Sequence, residues 1–191
     1  MQDFNFTIDS KGIVSTEFLK LGIDNFESAS MFIARLTYKR NSDKKDVLAV
    51  IKEQGGTCST KHAALRKLAL ENGKKDVKLM LGIFKMDSHY APAIKKTLDK
   101  YQLNYIPEAH NYLKFKEEYF DFTKPNASYS DFKNQIVFEQ ELEHHEIADH
   151  KVSIHQKFLV SWLQAEKLNF SLEEIWKIRE QCIQDLQKNR D

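Results

Sequence analysis

The spacing of apolar residues predicts several helices in the first part of the chain. Apolar positions recur every three or four residues over residues 26–36, which is typical of an amphipathic helix. A second helix is predicted near residues 44–52, and a third over residues 58–71. The intervening glycines and polar residues mark the breaks between them. Residues 13–21 form a mixed stretch that matches no single period.

A strand rhythm replaces the helical spacing after the third helix. The apolar residues at positions 77, 79, 81 and 83 alternate with the residues between them over residues 77–84, as in a β-strand. Pro92 is placed to open a short helix. Two further strands are predicted at residues 105–114 and 119–123, on either side of a short polar loop. The pattern over residues 128–140 is ambiguous.

The last part of the chain has helical character again. A helix is predicted over residues 152–168 from its apolar spacing. Ser171 and Glu174 form a capping box that starts a final helix. A length of 191 residues suits one domain with a sizeable core, or a core with an added helical layer.

The composition is that of an ordinary globular protein, with 41% hydrophobic and 30% charged residues. A formal net charge of +1 gives no support to nucleic-acid binding. No apolar run approaches the roughly 20 residues that span a bilayer, so no membrane partner is expected, and the N-terminus lacks the pattern of a secretion signal. The two cysteines, Cys58 and Cys182, are far apart, so we expect no disulfide framework and a reduced, cytoplasmic location.

Cys58 is a candidate nucleophile because it follows two glycines and begins a predicted helix. The N–H groups of a first helical turn have no partner within the helix, and the helix dipole is positive there, so a thiolate is favoured. Gly55 and Gly56 allow a tight turn and leave space beside the sulfur. The alternative interpretation is that Cys58 is a small buried hydrophobic residue.

His110 and Asp121 become neighbours if the two predicted strands around them form a hairpin. With a four-residue loop, Lys114 pairs with Tyr119, and His110 and Asp121 share one face about 7–8 Å apart. Any loop with an even number of residues places His110 and Asp121 on the same face of the hairpin. Asp121 would then orient His110, which would take the proton of the Cys58 thiol. The alternatives are a structural histidine and a carboxylate that faces water.

The segment GGTCSTKHA at residues 55–63 resembles the nucleophile segment of transglutaminase-like proteins. Cys58, His110 and Asp121 also occur in that family's order, on a helix and two strands, with the spacing of compact, bacterial-type members. The resemblance covers about residues 44–124. It implies an α+β fold with a papain-like core, in which the helix that carries the cysteine packs on an antiparallel sheet.

The resemblance also sets the expected domain organisation and chemistry. Residues 1–191 would form a single domain, with extra N-terminal helices and a C-terminal helical section at about residues 150–188. The implied activity is that of a cysteine hydrolase or acyltransferase of protease, amidase or transglutaminase type. It would act on an amide or peptide-type acyl bond of a peptide, protein or small amide, through a thioester and without a cofactor. Because some members lack activity, a catalytically inactive protein-interaction module is the alternative.

Acyl transfer also requires donors for the developing oxyanion. The backbone N–H of Cys58 is one candidate, and the side chain of Gln54 is a second. Gly56 and Thr57 are expected to border the cleft. The alternative for Gln54 is an exposed residue at a helix end.

A histidine-rich segment suggests a third, metal-binding hypothesis that would use His144, His145, His150 and His155. The segment does not match the H-E-x-x-H pattern, because three residues rather than two separate Glu146 from His150. On a helix, His145 and His150 would point about 140° apart. A solvated charged segment is therefore the preferred interpretation. His62, one turn after Cys58, is interpreted as a surface residue of its helix.

Overall fold

A four-stranded antiparallel sheet between two groups of helices forms the centre of the fold. The structure is a computed structural model that describes residues 4–188. The strands are β1 (Thr37–Tyr38), β2 (Gly55–Gly56), β3 (Val77–Asp87), β4 (Tyr105–Phe115), β5 (Glu118–Phe120) and β6 (Ile136–Leu142). The α-helices are α1 (Ile13–Lys20), α2 (Phe26–Arg35), α3 (Ala49–Lys52), α4 (Cys58–Glu71), α5 (Lys95–Lys100), α6 (Asp149–Ala165) and α7 (Leu172–Lys188). The fold class is therefore α+β.

The sheet has the strand order β5-β4-β3-β6, and the long pairing of β3 with β4 is its centre. The register runs from Val77 opposite Phe115 to Asp87 opposite Tyr105. β3 is buried on both faces because alternate residues enter two separate hydrophobic clusters, with Leu79, Leu81 and Ile83 in the first and Met80, Phe84 and Met86 in the second. The alternation of side chains along β3 therefore directs them into two hydrophobic cores, rather than into one core and solvent.

Helix α4 covers the face of the sheet that belongs to the first cluster. Its apolar side chains in that cluster are Ala63, Ala64, Leu65, Leu68 and Ala69. Helices α1 and α2 pack against α4 in turn. Since α4 has the sheet on one side and two helices on others, its first residue has a defined position relative to β4.

Strand β2 leads directly into α4 and pairs in parallel with β1. A Cβ on Gly56 would lie 2.6 Å from Thr60 Oγ1 and 2.9 Å from a methyl group of Val50, so a side chain has no room there. Asn41 Nδ2 donates to the Gly55 carbonyl at 2.8 Å, and Asn41 Oδ1 accepts from the Thr60 hydroxyl at 2.7 Å. The glycines thus allow β2 to lie against the first turn of α4.

Several predicted elements differ from the structure. Residues 13–21 contain helix α1, which the apolar pattern did not reveal, although Val14 and Phe18 are fully buried one turn apart. The helix predicted at residues 44–52 is reduced to α3. Asp43 and Asp46 accept hydrogen bonds from backbone N–H groups two residues later, and these bonds favour turns over a helix.

Helices α6 and α7 cover the opposite face of the sheet. Their buried side chains join the second cluster through Leu159, Trp162, Leu163, Ile175, Ile178 and Cys182. The previously ambiguous residues 128–140 contribute two short 3-10 turns and most of the edge strand β6. Within residues 4–188, no helix combines the length and the apolar character needed to cross a membrane.

Lys61 joins α4 to two loops from inside the protein. Its side chain is fully buried, and Nζ donates to the carbonyl of Leu36 at 2.6 Å and to that of Thr123 at 2.8 Å. A charged group in such a position is tolerated because carbonyl oxygens replace its water. Thr123 is two residues from Asp121, so this lysine also supports the loop that carries the carboxylate.

We expect Lys61→Met to lower the free energy of unfolding by about 2–4 kcal/mol, because the carbonyls of Leu36 and Thr123 lose their donor. Lys67→Met, in the same helix, is the matched control. Lys67 is partly exposed and lies 3.8 Å from Glu71, so its replacement should cost less than about 1 kcal/mol. Urea unfolding followed by circular dichroism measures both values. Equal effects of the two substitutions would contradict the structural role of Lys61.

Candidate active site

Cys58, His110 and Asp121 come together at the N-terminus of α4. Cys58 is the first residue of the helix, and only 6% of it is exposed. His110 lies in β4, beside Cys58, and each of the two side chains shifts the pKa of the other. Asp121 follows β5 directly, and its Oδ2 is 2.8 Å from His110 Nε2. Since Nε2 contacts the carboxylate, Nδ1 is the ring nitrogen left for the thiol.

The β4–β5 hairpin brings His110 and Asp121 together. Lys114 pairs with Tyr119, which is the register that the sequence predicted. The ladder ends with the last residue of β5, so Asp121 lies just beyond the paired region. The backbone N–H of Thr123 donates to Asp121 Oδ1 at 2.8 Å, which turns the carboxylate and leaves Oδ2 for the imidazole.

The charges of the site favour a thiolate beside an imidazolium. Burial alone would raise the pKa of the Cys58 thiol, but the positive charges of Lys151 and His110 outweigh burial and lower this pKa to about 6. Burial alone would lower the pKa of His110, but Asp121 and Cys58 together raise it to about 10. Although burial opposes it, His110 also holds the pKa of Asp121 well below its ordinary value. At neutral pH the sulfur is therefore anionic and the ring cationic.

Lys151 belongs to the site, although the sequence analysis did not identify it. It lies in the first turn of α6, with Nζ 4.0 Å from Cys58 Sγ, 2.8 Å from Ser59 Oγ and 2.7 Å from Asn111 Oδ1. Burial lowers the pKa of Lys151, and the negative sulfur opposes this shift. The local sequence carries no signal for this role, because only the packing of α6 on β4 brings the ammonium to the sulfur.

His62 is fully buried beneath the site, so the prediction of a surface residue was wrong. Its Nε2 accepts from the backbone N–H of Phe122 at 2.8 Å, so Nδ1 carries the proton and donates to the carbonyl of Cys58 at 2.7 Å. Burial lowers the pKa of His62 to about 4, which keeps the ring neutral. His62 therefore connects the first turn of α4 to the loop that carries Asp121.

The residues predicted for the oxyanion hole have contacts of their own. The side-chain amide of Gln54 donates to the carbonyl of Ile51 at 2.8 Å, and its backbone has a left-handed φ of 53°, so Gln54 serves the end of α3. The backbone N–H of Thr57 donates to Thr60 Oγ1 at 3.0 Å and is thereby occupied. Gly56 is buried, with the Thr60 hydroxyl where its side chain would be.

Two cavities border Cys58. The first has a volume of about 320 Å³ and is lined largely by polar and charged residues, including Thr57, Ser59, Glu108, Lys151 and Arg179. The second has a volume of about 550 Å³ and combines His110 and Asp121 with the apolar residues Phe84, Met86, Tyr90 and Pro92. Ile183 of α7 lines both cavities, so α7 forms one wall of the cleft.

Two histidines of the histidine-rich segment after β6 have separate partners in the structure. His155 is buried, with Nε2 2.8 Å from the Pro107 carbonyl, whereas His150 lies 3.9 Å from Glu146. Among residues 4–188, no group of three or more His, Cys, Asp or Glu side chains has an arrangement that could hold a metal ion.

Comparisons of the chain with protein-family models, with curated proteins and with solved structures gave no match. The functional argument therefore depends on the geometry of the site. This geometry provides a nucleophile, a base beside it that lowers its pKa, a carboxylate that orients the base, and two cavities that border the sulfur. Such an arrangement suits attack on an electrophilic carbonyl carbon.

We expect iodoacetamide to alkylate Cys58 with a rate that rises as the pH increases through about 6 and then levels off, because the thiolate is the reactive form. Cys182 is the internal control, since it is fully buried and burial raises its pKa to about 12. Mass spectrometry of peptides after timed alkylation measures both residues. A Cys58 profile that rises only near pH 8.5, the ordinary thiol pKa, would contradict the thiolate assignment.

His62 makes the stability of the fold depend on pH in a defined range. Its pKa falls from an ordinary value of 6.5 to about 4 in the folded protein. Between these values the unfolded chain binds an additional proton, so stability is present above pH 6.5 and is lost as the pH falls toward 4. The stability involved is about 3 kcal/mol.

We expect this contribution to be absent from His62→Gln. Urea unfolding between pH 4 and pH 7 should show a smaller loss of stability for the variant than for the wild type, by up to about 3 kcal/mol. Comparison of the two proteins cancels the effect of groups that titrate in both. Parallel curves for the two proteins would rule out a neutral buried His62.

Proposed function

We propose that this protein is a cysteine-dependent hydrolase or acyltransferase that acts on an amide or peptide-type acyl bond. The observation that carries the proposal is the group of Cys58, His110 and Asp121 at a helix N-terminus bordered by two cavities, in which His110 is hydrogen-bonded to Asp121 and lowers the pKa of the Cys58 thiol. A thiolate with a low pKa beside a cationic imidazole is the form in which a cysteine attacks carbonyl carbon.

The chemistry begins with attack by the Cys58 thiolate on the carbonyl carbon of the acyl donor. The new C–S bond moves the negative charge to the carbonyl oxygen. As this charge returns to carbon, the C–N bond breaks, and the His110 imidazolium gives its proton to the departing amine. A thioester and a neutral imidazole remain. His110 then takes a proton from water or an acceptor amine, which attacks the thioester and releases Cys58.

Asp121 holds His110 in the orientation that both steps require. Its carboxylate contacts Nε2, so Nδ1 remains directed toward the reacting atoms. Its negative charge also stabilises the imidazolium before attack and the charge that forms when the base accepts a proton. Burial of the pair, with 14% of the His110 side chain and 5% of the Asp121 side chain exposed, limits screening by water.

The architecture supports a transglutaminase-like, papain-like core as part of the proposal. A helix that begins with the cysteine packs on an antiparallel sheet, and the histidine and the aspartate lie on one hairpin of that sheet. The proposed substrate class comprises peptides, protein side chains and small amides.

A second candidate function is that of an inactive domain that binds other proteins. The observation that favours it is the position of α7, which forms a wall of both cavities beside a nearly buried Cys58. Arg179 of this helix forms an ion pair with Glu108, and Glu180 pairs with Arg40 at 2.6 Å. These contacts hold α7 against the cleft and restrict access to the sulfur.

An acyl probe separates the two functions. We expect p-nitrophenyl acetate to leave an acetyl group on Cys58, visible by intact-mass and peptide mass spectrometry, and to turn over. Cys58→Ala should abolish both results, and Asp121→Asn should reduce turnover by about 10²–10⁴-fold because the imidazole loses its orientation and charge partner. Cys182→Ala is the matched control and should retain the wild-type rate.

Two outcomes would contradict the enzymatic proposal. Turnover that persists in Cys58→Ala would place the chemistry elsewhere. A wild-type protein that acquires no adduct, from this ester or from a panel of peptide p-nitroanilides, would instead favour the binding function.

A further inference from the structure

The contacts of Lys151 account for two of the three N–H donors of its ammonium group. One N–H reaches Ser59 Oγ at 2.8 Å, and a second reaches Asn111 Oδ1 at 2.7 Å. The third faces Cys58 Sγ at 4.0 Å. Because an ammonium carries three N–H groups in fixed tetrahedral directions, the two short bonds set the direction of the third. The group also lines the cavity of about 320 Å³, where a substrate could meet the sulfur.

Three other charged groups act on the same ammonium. Glu108 of β4 attracts it, and Arg179 of α7 and Lys44, between β1 and α3, repel it. Glu108 already forms a hydrogen-bonded ion pair with Arg179. The thiolate is therefore the anion that the third N–H of Lys151 faces.

We propose that Lys151 is a catalytic residue, whose third N–H holds the Cys58 thiolate in the resting protein and donates to the oxyanion when the thiolate attacks an acyl carbon. This inference rests on the proposed function. It supplies a side-chain donor where Gln54 was expected, since the Gln54 amide is engaged by Ile51. The backbone N–H of Cys58, in the first turn of α4, would be the second donor.

The long distance to the sulfur is the feature that would make Lys151 useful in catalysis. At 4.0 Å Lys151 stabilises the thiolate through its charge and not through a short hydrogen bond, whereas an effective oxyanion donor lies about 2.7–3.1 Å from the developing charge. When the C–S bond forms, the negative charge moves from sulfur to the carbonyl oxygen, on the cavity side of the site. A donor that gains contact only at this stage stabilises the transition state more than the resting thiolate.

The charges balance through the step without proton transfer from Lys151. The negative charge moves from sulfur to oxygen on attack and returns to carbon as the C–N bond breaks. The proton for the leaving amine comes from His110. Lys151 therefore stays protonated, which the surrounding hydroxyl and amide oxygens of Ser59 and Asn111 favour.

The test compares Lys151→Met with Lys157→Met, an exposed lysine of the same helix whose removal changes the net charge equally. We expect Lys151→Met to lower kcat for p-nitrophenyl acetate by about 10²–10³-fold with little change in KM. We also expect the pH profile of Cys58 alkylation to shift upward from its position near 6. Lys157→Met should match the wild type in both measurements.

The outcomes separate this inference from the proposed function. If Lys151→Met is active with an unchanged kcat and an unchanged alkylation profile, the role of Lys151 is overturned and the proposed function is not. A change confined to KM would overturn the oxyanion role. Absence of turnover in the wild type would overturn the proposed function and the oxyanion role together. The alkylation profile would still decide whether Lys151 holds the thiolate.

A second variant covers the case in which Lys151→Met does not fold. In His110→Ala, Lys151 is the cation that remains beside the sulfur. We expect the pKa of Cys58 in this variant, measured by alkylation, to stay below the ordinary thiol value of about 8.5. A value at or above 8.5 would show that His110 alone holds the thiolate and would overturn the inference.

Discussion

A buried thiolate beside a buried imidazolium is the interaction on which the rest of this structure depends. Cys58 is almost inaccessible, and burial by itself would keep its sulfur neutral. The sulfur is charged only because the fold supplies cations around it, from His110 and Lys151, at the positive end of α4. A charge arrangement of this kind is costly unless each partner is held in place, which makes the geometry around Cys58 the main structural constraint.

The fold meets this constraint through polar contacts that link elements distant in sequence. His62 joins the carbonyl of Cys58 to the backbone N–H of Phe122, and Lys61 joins the same helix to the carbonyl of Thr123. Both sets of hydrogen bonds reach the loop that carries Asp121, so the helix with the nucleophile and the loop with the carboxylate cannot move independently. Packing of α6 on β4 adds the ammonium of Lys151, which bonds Ser59 of α4 and Asn111 of β4. The site is therefore assembled from α4, the β4–β5 hairpin and α6, which are distant in sequence.

The parts that the sequence predicted are those that local patterns determine. The ten or so residues around Cys58 are enough to show a cysteine that follows two glycines at the start of a helix. The even-length loop of the β4–β5 hairpin determines which face of the hairpin His110 occupies. Lys151 and His62 depend on tertiary packing. A lysine in a helix, or a histidine one turn after a cysteine, is typical of a solvent-exposed face. Only packing against neighbouring elements buries Lys151 and His62 and gives them polar partners. The sequence analysis did not predict helix α1, because the burial of this helix depends on packing against α4 and the spacing of its own apolar residues is not clearly helical.

The most direct test of the central claim is NMR titration of the protein with ¹⁵N-labelled histidine and ¹³Cβ-labelled cysteine. The account predicts that the Cys58 signal shifts to the thiolate position as the pH rises through about 6, while His110 keeps the ¹⁵N shifts of an imidazolium up to about pH 10. A neutral thiol together with a neutral His110 ring at pH 7 would contradict the account.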